Sequence, residues 1–187
     1  MGVLEVCAVV LALIYVILAI FQRRLCWIAA IASASLYILI FWQARLYLES
    51  ALQVFYIAMA VYGWFAWQHK DHESQTPIRT WLPKQHTVAC SALVLLSVLI
   101  GSAMDRWTDA ASPFVDAATT VSALLATWMV ARKLLENWLY WIAIDIASIG
   151  LYLSRDLSLT AALFAGYVLL AAWGYRIWRA QCQLQTP

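Results

Sequence analysis

Charged residues are scarce in this chain of 187 residues, at only 12% of the total. A soluble helical bundle needs a polar face on each helix, and segments such as 9–14 (Val-Val-Leu-Ala-Leu-Ile) have none. Hydrophobic residues make up 65% of the chain. The shortage of charge therefore argues against a soluble fold and predicts an all-α integral membrane protein.

The sequence also lacks the motifs of several protein classes. It has no Gly-rich phosphate loop, no nucleophile elbow and no H-E-x-x-H helix, so nothing indicates an ATPase, a hydrolase or a metalloprotease. Its four cysteines form no C-x-x-C pair, and His69-x2-His72 lies in a polar loop without a third ligand. We therefore expect no enzyme activity, no metal and no cofactor. The net charge of +2 is no evidence for a nucleic-acid partner, because the distribution of basic residues is explained by membrane topology.

Seven apolar runs approach the length that a membrane-spanning helix needs, about 20 residues for roughly 30 Å of hydrocarbon. The first run is expected to remain in the protein, because no basic region precedes it and no signal-peptidase site follows. The predicted spans are Val3–Phe21, Leu25–Gln43, Tyr47–Trp67, Thr87–Met104, Pro113–Ala131, Asn137–Leu153 and Leu157–Trp178.

The chain repeats itself with an offset of 111 residues. Residues 27–67 and 138–178 share 12 identities in 41 positions without a gap. The identities include the spaced motif Tyr56-x6-Gly63-x3-Trp67, answered by Tyr167-x6-Gly174-x3-Trp178. Chance matches between Ala- and Leu-rich segments do not explain this spacing, so we infer an internal duplication. Duplicated helical bundles are typical of membrane transporters.

The position of the repeats predicts the architecture of a single membrane domain. Repeat one covers 3–67, a cytoplasmic loop and connector helix cover 68–104, and repeat two covers 113–178. An even number of crossings separates the two triplets, so the repeats are parallel. We therefore predict two parallel three-helix repeats joined by a connector helix, the 3+1+3 arrangement of SWEET transporters.

The basic residues divide unevenly between alternate loops, nine against three, which predicts an external N-terminus and a cytoplasmic C-terminus. The minority side carries Arg45, Arg106 and Arg155. The majority side carries Arg23, Arg24, Lys70, Arg79, Lys84, Arg132, Lys133, Arg176 and Arg179.

Asp145 is the outstanding polar residue within the predicted spans. A carboxylate at the middle of a membrane helix costs roughly 2.5–3.5 kcal/mol on insertion scales, so it must be paired, hydrated, protonated or ready for a cation. Trp141 and Trp138 precede it by four and seven residues and share its helical face. Indole faces attract cations, so this stripe suits a flat, positively charged aromatic ligand. For Trp138, an interfacial tryptophan belt is an equally good interpretation.

Further candidates for substrate contact are polar or aromatic residues on three helices. Gln53 is replaced by Phe164 in the repeat, and Asp145 by Ala34, so the duplicated scaffold requires neither polar group. The fifth-helix hydroxyls are equally well explained by bonds to their own backbone. The full set of predicted substrate-binding residues is Gln53, Tyr56, Thr120, Asn137, Trp138, Trp141 and Asp145. Gly63 and Gly174 are expected to allow close helix packing.

The combined motifs resemble the Pnu family of vitamin transporters over nearly the whole chain. They are Leu52-Gln53-Val54-Phe55-Tyr56 through Tyr62-Gly63-Trp64-Phe65-Ala66-Trp67, then Glu136-Asn137-Trp138-x2-Trp141-x3-Asp145, then Gly174-Tyr175-Arg176-x-Trp178. The resemblance implies a facilitator in the bacterial inner membrane whose substrate is trapped after entry by a separate cytoplasmic kinase. Its best-known branch carries nicotinamide riboside, and sister branches carry thiamine or riboflavin.

These observations predict transport of nicotinamide riboside by facilitated diffusion, with alternating access between the two triplets. Thiamine is the alternative substrate, because both molecules carry a cationic aromatic ring. Asp145 could instead carry a coupling proton, and a non-transporting membrane subunit is a third hypothesis. The expected partners are the small-molecule substrate and membrane lipid. The sequence leaves the oligomeric state open, a homo-oligomer included.

Overall fold

The computed structural model of the chain describes residues 3–43, 47–68, 77–108, 112–154 and 158–185. Within these ranges the regular elements are seven α-helices, and the only β-type pairing is an isolated bridge between Arg79 and Leu134. The helices are α1 (Val3–Ile20), α2 (Cys26–Gln43), α3 (Tyr47–Ala66), α4 (Pro83–Trp107), α5 (Pro113–Ala131), α6 (Asn137–Leu153) and α7 (Ser158–Gln185). The prediction of an all-α protein with seven helices is confirmed.

Two helices extend beyond their predicted spans. Helix α4 begins at Pro83, which suits the first turn because its missing N–H needs no partner there. The backbone N–H of Leu82 donates to Oε1 of Gln85 (2.8 Å), which further stabilises this start. Helix α7 continues to Gln185, and Nε2 of Gln22 donates to Oε1 of Gln181 within the extension. Hydropathy marks only the apolar part of each helix, and both helices continue into polar sequence.

Five helices, α1, α2, α4, α5 and α7, are long and apolar enough to cross a membrane. Two shorter apolar stretches accompany them, Ser50–Ala66 within α3 and Asn137–Leu153, which is α6. A helix of 17 residues, the length of α6, is about 26 Å long, which approaches the roughly 30 Å of the hydrocarbon core.

The chain divides into two compact units. Unit 1 contains Met1–Ile78, Val130–Lys133 and Ile177–Pro187. In it, α1 packs on α2 and α2 packs on α3. Unit 2 contains Arg79–Met129 and Leu134–Arg176, and so includes all of α6.

The internal repeat is visible in the backbone geometry of two turns. Gln22 follows α1 and Lys133 follows α5 at the same offset of 111, and both adopt the left-handed region with φ of 52° and 53°. Each turn closes its helix with the hydrogen-bond pattern of a Schellman motif. The bonds are Gln22 N–H to Ala19 O (3.0 Å) and Arg23 N–H to Leu18 O (2.9 Å), answered by Lys133 N–H to Val130 O (3.0 Å) and Leu134 N–H to Met129 O (3.0 Å).

The duplicated glycines allow tryptophan rings to pack directly on helix backbone. In unit 1 the ring of Trp27 lies on Gly63, where a Cβ would overlap the indole. In unit 2 the ring of Trp138 lies on Gly174, where a Cβ would come within 2.8 Å of three ring atoms. Both glycines are buried. The expectation that Gly63 and Gly174 permit close packing is confirmed.

Candidate substrate-binding site

Asp145 lies at the middle of α6 and is buried, with only 5% of its surface exposed. Its carboxyl group makes no hydrogen bond or ion pair with any of the residues that the structure describes. A buried carboxylate without a partner is costly unless water, a proton or a cation accompanies it. Asp145 is therefore the strongest candidate in unit 2 for contact with a positively charged ligand.

Trp141 lies one turn before Asp145 and packs on a small apolar cluster. The cluster contains Ala123 and Ala126 of α5 and Ile144 of α6, all buried. The two alanines leave room beside α5 for the large indole ring. Trp141 itself is only half-buried, so part of its surface remains open to a ligand. An accessible indole one turn from an unpaired carboxyl is the arrangement that attracts an aromatic cation.

Trp138 shares the α6 face with Trp141 and Asp145, yet it is 4% exposed and packs on Gly174. Its counterpart in the first repeat, Trp27, packs on Gly63 in the same way. The repeat thus assigns Trp138 a packing role that the tryptophan-belt interpretation did not include. Any contact with substrate would be additional to that role.

Asn137 forms the first turn of α6 and is completely buried. Its Nδ2 donates to the carbonyl of Leu134 (2.6 Å), which ties the side chain to the preceding turn. Its Oδ1 is buried and has no hydrogen-bond partner in the described part of the chain. The Nδ2 of Asn137 therefore has a structural role at the start of α6, whereas its Oδ1 can still accept a hydrogen bond.

Gln53 and Tyr56 belong to α3 and lie in unit 1. Both side chains are half-buried. The Gln53 amide makes no hydrogen bond within the described ranges, and the Tyr56 ring meets Phe55 edge-on at 5.9 Å. Gln53 is thus an uncommitted donor and acceptor on an apolar helix, as a substrate contact would require.

The threonine side chains of α5 differ in their hydrogen bonds and in their exposure. Thr127 donates to the carbonyl of Ala123 (2.7 Å), and Thr119 donates to that of Val115 (2.9 Å), so both bond to their own helix. Thr120 is exposed, unlike Trp138 and Asp145. Among the seven predicted residues, the structure therefore places Thr120 apart from the buried stripe of α6.

Several buried polar residues were not predicted from the sequence to be buried, among them Ser148 and Lys133. Ser148 follows Asp145 by three residues, is 7% exposed and donates to the carbonyl of Ile144 (2.9 Å). Lys133, counted only as a topological charge, is 1% exposed, and its Nζ lies 4.9 Å from the ring centre of Trp67. Burial lowers the pKa of Lys133 to about 8. The offset of 111 aligns Lys133 with Gln22, which marks the shared turn but does not indicate burial of the ammonium group.

No group of three or more His, Cys, Asp or Glu residues that could hold a metal occurs in the ranges described by the structure. The residues His69 and His72, for which no metal role is expected, lie outside those ranges.

Within the described ranges, seven apolar helices, one of which carries a buried carboxyl without a partner there, define a multi-pass membrane protein. The chain belongs to the family described as "Nicotinamide mononucleotide transporter", which matches residues 2–180. It is a transporter and not an enzyme.

Individual relatives agree with this assignment. The chain is 28% identical over 173 residues to the nicotinamide riboside transporter PnuC of Escherichia coli K12, covering 78% of this chain and 72% of that protein. It is 26% identical over 133 residues to the riboflavin/roseoflavin transporter RibM of Streptomyces davaonensis, covering 67% and 61%. The crystal structure of the vitamin B3 transporter PnuC has the same fold, with a TM-score of 0.77 at 18% identity over 98% of this chain and 83% of that one.

Proposed function

We propose that this protein carries nicotinamide riboside across the bacterial inner membrane. The support from relatives is the similarity to the nicotinamide riboside transporter of Escherichia coli. The support from the site is Asp145, which is buried one turn beyond a half-buried Trp141 and has no partner among the described residues. The nicotinamide ring of the riboside is aromatic and carries a positive charge.

The proposed binding mode stacks the nicotinamide ring on Trp141 and balances its charge with Asp145. A cation over an indole contributes roughly 0.5–2 kcal/mol, depending on how well both are shielded from water. Gln53, Tyr56 and Asn137 are proposed to hydrogen-bond the ribose or the carboxamide. Trp138, one turn before Trp141 on α6, contributes mainly through packing in this proposal. Thr120, which is exposed, contributes least of the seven residues.

The proposed mechanism is facilitated diffusion by alternating access, built on the two parallel repeats with their connector helix. The N-terminus is external and the C-terminus cytoplasmic in this proposal, because the basic residues favour that orientation. A separate cytoplasmic kinase then traps the substrate by phosphorylation. Self-association into a homo-oligomer is compatible with this scheme.

Thiamine is the alternative substrate, since its cationic thiazolium ring would use the same indole and carboxyl groups. Riboflavin is neutral and gains nothing from Asp145. A binding series with the three vitamins therefore discriminates between branches of the family.

The direct test of the proposal is isothermal calorimetry with purified protein in detergent. We expect nicotinamide riboside to bind, and Asp145→Asn to weaken binding more than about tenfold, or roughly 1.4 kcal/mol. Asn keeps the shape of the side chain and removes only its charge. Ser148→Ala, one turn further along α6, is the matched control and should leave affinity unchanged, because its hydroxyl bonds to backbone. Equal affinity of the wild type and Asp145→Asn for nicotinamide riboside would show that the charge of Asp145 does not contribute to the binding site.

Proton coupling through Asp145 is the second candidate mechanism, and the unpaired state of its carboxyl motivates it. Counterflow in proteoliposomes with and without an imposed pH gradient separates the two mechanisms. Facilitated diffusion predicts the same initial rate in both conditions. A rate that follows the gradient in the wild type but not in Asp145→Asn would establish coupling.

A further inference from the structure

The turn between α1 and α2 carries two adjacent arginines, Arg23 and Arg24. The backbone N–H of Arg23 donates to the carbonyl of Leu18 in the last turn of α1 (2.9 Å). The carbonyl of Arg23 accepts the N–H of Cys26 (2.9 Å), which begins α2. The carbonyl of Arg24 accepts the N–H of Trp27 (3.1 Å). The backbone of both arginines is therefore fixed between the two helices.

The corresponding turn of the second repeat is apolar at these two positions. The offset of 111 aligns Arg23 with Leu134, which is 5% exposed. It aligns Arg24 with Leu135, which is 7% exposed. The duplicated turn therefore forms without arginine. Membrane topology favours positive charge in this loop, but it does not require the guanidinium groups to occupy particular positions.

The side chain of Arg24 is held in place by Trp64 of α3. Its Nε donates to the carbonyl of Trp64 (2.8 Å), and its Cζ lies 3.7 Å from the centre of the Trp64 ring. Its two Nη groups make no hydrogen bond or ion pair with the residues that the structure describes. A guanidinium group fixed in this way presents oriented donors that match two oxygens of a phosphate group.

Arg23 and Arg24 line a cavity of about 820 Å³ in unit 1, which we call the arginine cavity. Pockets for small molecules have volumes of roughly 300–1,000 Å³, so the cavity is large enough for a sugar phosphate. None of the described residues that line it is acidic. Its polar lining residues are Gln22, Arg23, Arg24, Gln68 and Gln181.

The glutamines add uncharged donors to this lining. Nε2 of Gln22 donates to Oε1 of Gln181, which leaves Nε2 of Gln181 without an acceptor among the described residues. The side chain of Gln68 is exposed, and its amide makes no hydrogen bond within the described ranges. Amide and guanidinium donors around one cavity complement the several oxygens of a phosphate group.

We propose that the arginine cavity binds the phosphate group of a phosphate ester. Arg24 supplies the oriented Nη donors, and Arg23 supplies a second positive charge. The cavity faces the cytoplasm in the orientation of the proposed function, and the inference rests on that function to this extent. Two sources of phosphate ester are present at a cytoplasmic surface. One is soluble sugar phosphates, which include the product of the proposed trapping kinase, and the other is the headgroups of anionic phospholipids.

Calorimetry with ribose 5-phosphate tests the soluble source on the purified protein in an uncharged detergent. This probe carries a phosphate ester but no cationic aromatic ring, so it lacks the group that Trp141 and Asp145 are proposed to recognise. Ribose is the matched ligand without phosphate. We expect saturable binding of ribose 5-phosphate and no binding of ribose.

Substitution of the arginines separates a built site from general positive charge. Arg24→Lys keeps the charge but removes the paired Nη donors, and we expect it to weaken binding about tenfold. Arg23→Gln should weaken binding by about fivefold or more. The side chain of Arg23 makes no hydrogen bond or ion pair in the described part of the chain, so this variant should fold normally. Arg179→Gln is the control, because Arg179 is exposed on α7 and does not line the cavity.

Native mass spectrometry tests the lipid source. The protein is released from nanodiscs that contain equal amounts of phosphatidylglycerol and phosphatidylcholine. A lipid headgroup in the arginine cavity predicts that the wild type and Arg179→Gln retain phosphatidylglycerol in preference to phosphatidylcholine. Arg24→Lys and Arg23→Gln should lose this preference.

Binding of either probe that is weakened in both arginine variants but not in Arg179→Gln would support the site and identify its source. Two results would overturn it. One is that the wild type neither binds ribose 5-phosphate nor prefers phosphatidylglycerol. The other is that Arg24→Lys or Arg23→Gln binds the probe as well as Arg179→Gln does. Neither measurement uses nicotinamide riboside, so the expected binding together with no uptake of the riboside would retain the site and refute the proposed substrate.

Discussion

Substitution of the helix glycines tests whether tryptophan rings lie on bare backbone in both repeats. A Cβ at Gly174 would lie 2.8 Å from Cδ2, Cε2 and Cζ2 of Trp138, whereas carbon atoms in contact normally lie about 3.5–4.0 Å apart. The overlap of roughly 1 Å must be relieved by moving the ring or the helix. Overpacking of this kind costs about 1–3 kcal/mol.

Gly166 is the matched control on the same helix, because a Cβ there meets nothing within 4 Å. Ala is about 1 kcal/mol better than Gly in a helix interior, and this gain applies to both positions. The difference between Gly174→Ala and Gly166→Ala should therefore be about 1–3 kcal/mol, with Gly166→Ala the more stable.

Thermal unfolding in detergent, followed by tryptophan fluorescence, measures the difference. Each kcal/mol corresponds to roughly 2–4 °C in a protein of this size. Gly63→Ala should be destabilised relative to Gly166→Ala in the same direction, because its Cβ would overlap Trp27. Equal stability of Gly174→Ala and Gly166→Ala would show that the ring of Trp138 does not lie on Gly174.

Three further predictions concern charge, packing and binding. Burial lowers the pKa of Lys133 from 10.5 to about 8, so the unfolded chain holds a proton between these values that the folded chain has lost, and stability rises with pH there. The free energy of unfolding should gain roughly 3 kcal/mol in total over this range. Thermal unfolding midpoints measured from pH 7.5 to 10.5 should therefore rise more steeply in the wild type than in Lys133→Met. Parallel pH profiles would contradict the burial of the Lys133 ammonium group. Trp138→Phe should lower the unfolding midpoint more than it lowers substrate affinity, because the ring packs on Gly174, and calorimetry showing the reverse would make Trp138 a principal binding residue. Thr120→Val should weaken binding of nicotinamide riboside less than Gln53→Leu does, because Thr120 is exposed; the opposite order would bring α5 into the site.

The number and approximate position of the helices could be predicted because lipid imposes a length and a composition on every spanning segment. The helix ends were less accessible to prediction. The start of α4 at Pro83 depends on a local cap, and the extension of α7 to Gln185 lies in polar sequence. Hydropathy is insensitive to both.

The candidate site was predictable where the signal was a polar residue in apolar surroundings, as for Asp145. It was not predictable where the signal depended on tertiary packing. The burial of Lys133 and the contact of Trp138 with Gly174 require knowledge of which helix faces meet. The repeat nevertheless contained part of this information, because the offset of 111 relates Trp27 and Gly63, which pack together, to Trp138 and Gly174, which do the same.

In the transport that we propose, this chain alone carries nicotinamide riboside through a site that depends on the charge of Asp145. The measurement that tests it most directly is uptake of radiolabelled nicotinamide riboside into proteoliposomes containing only the purified chain, wild type or Asp145→Asn. We expect saturable uptake by the wild type, excess unlabelled nicotinamide riboside as the strongest competitor, and a large loss of uptake in the variant. Absence of uptake by the wild type, or equal uptake by the variant, would contradict it.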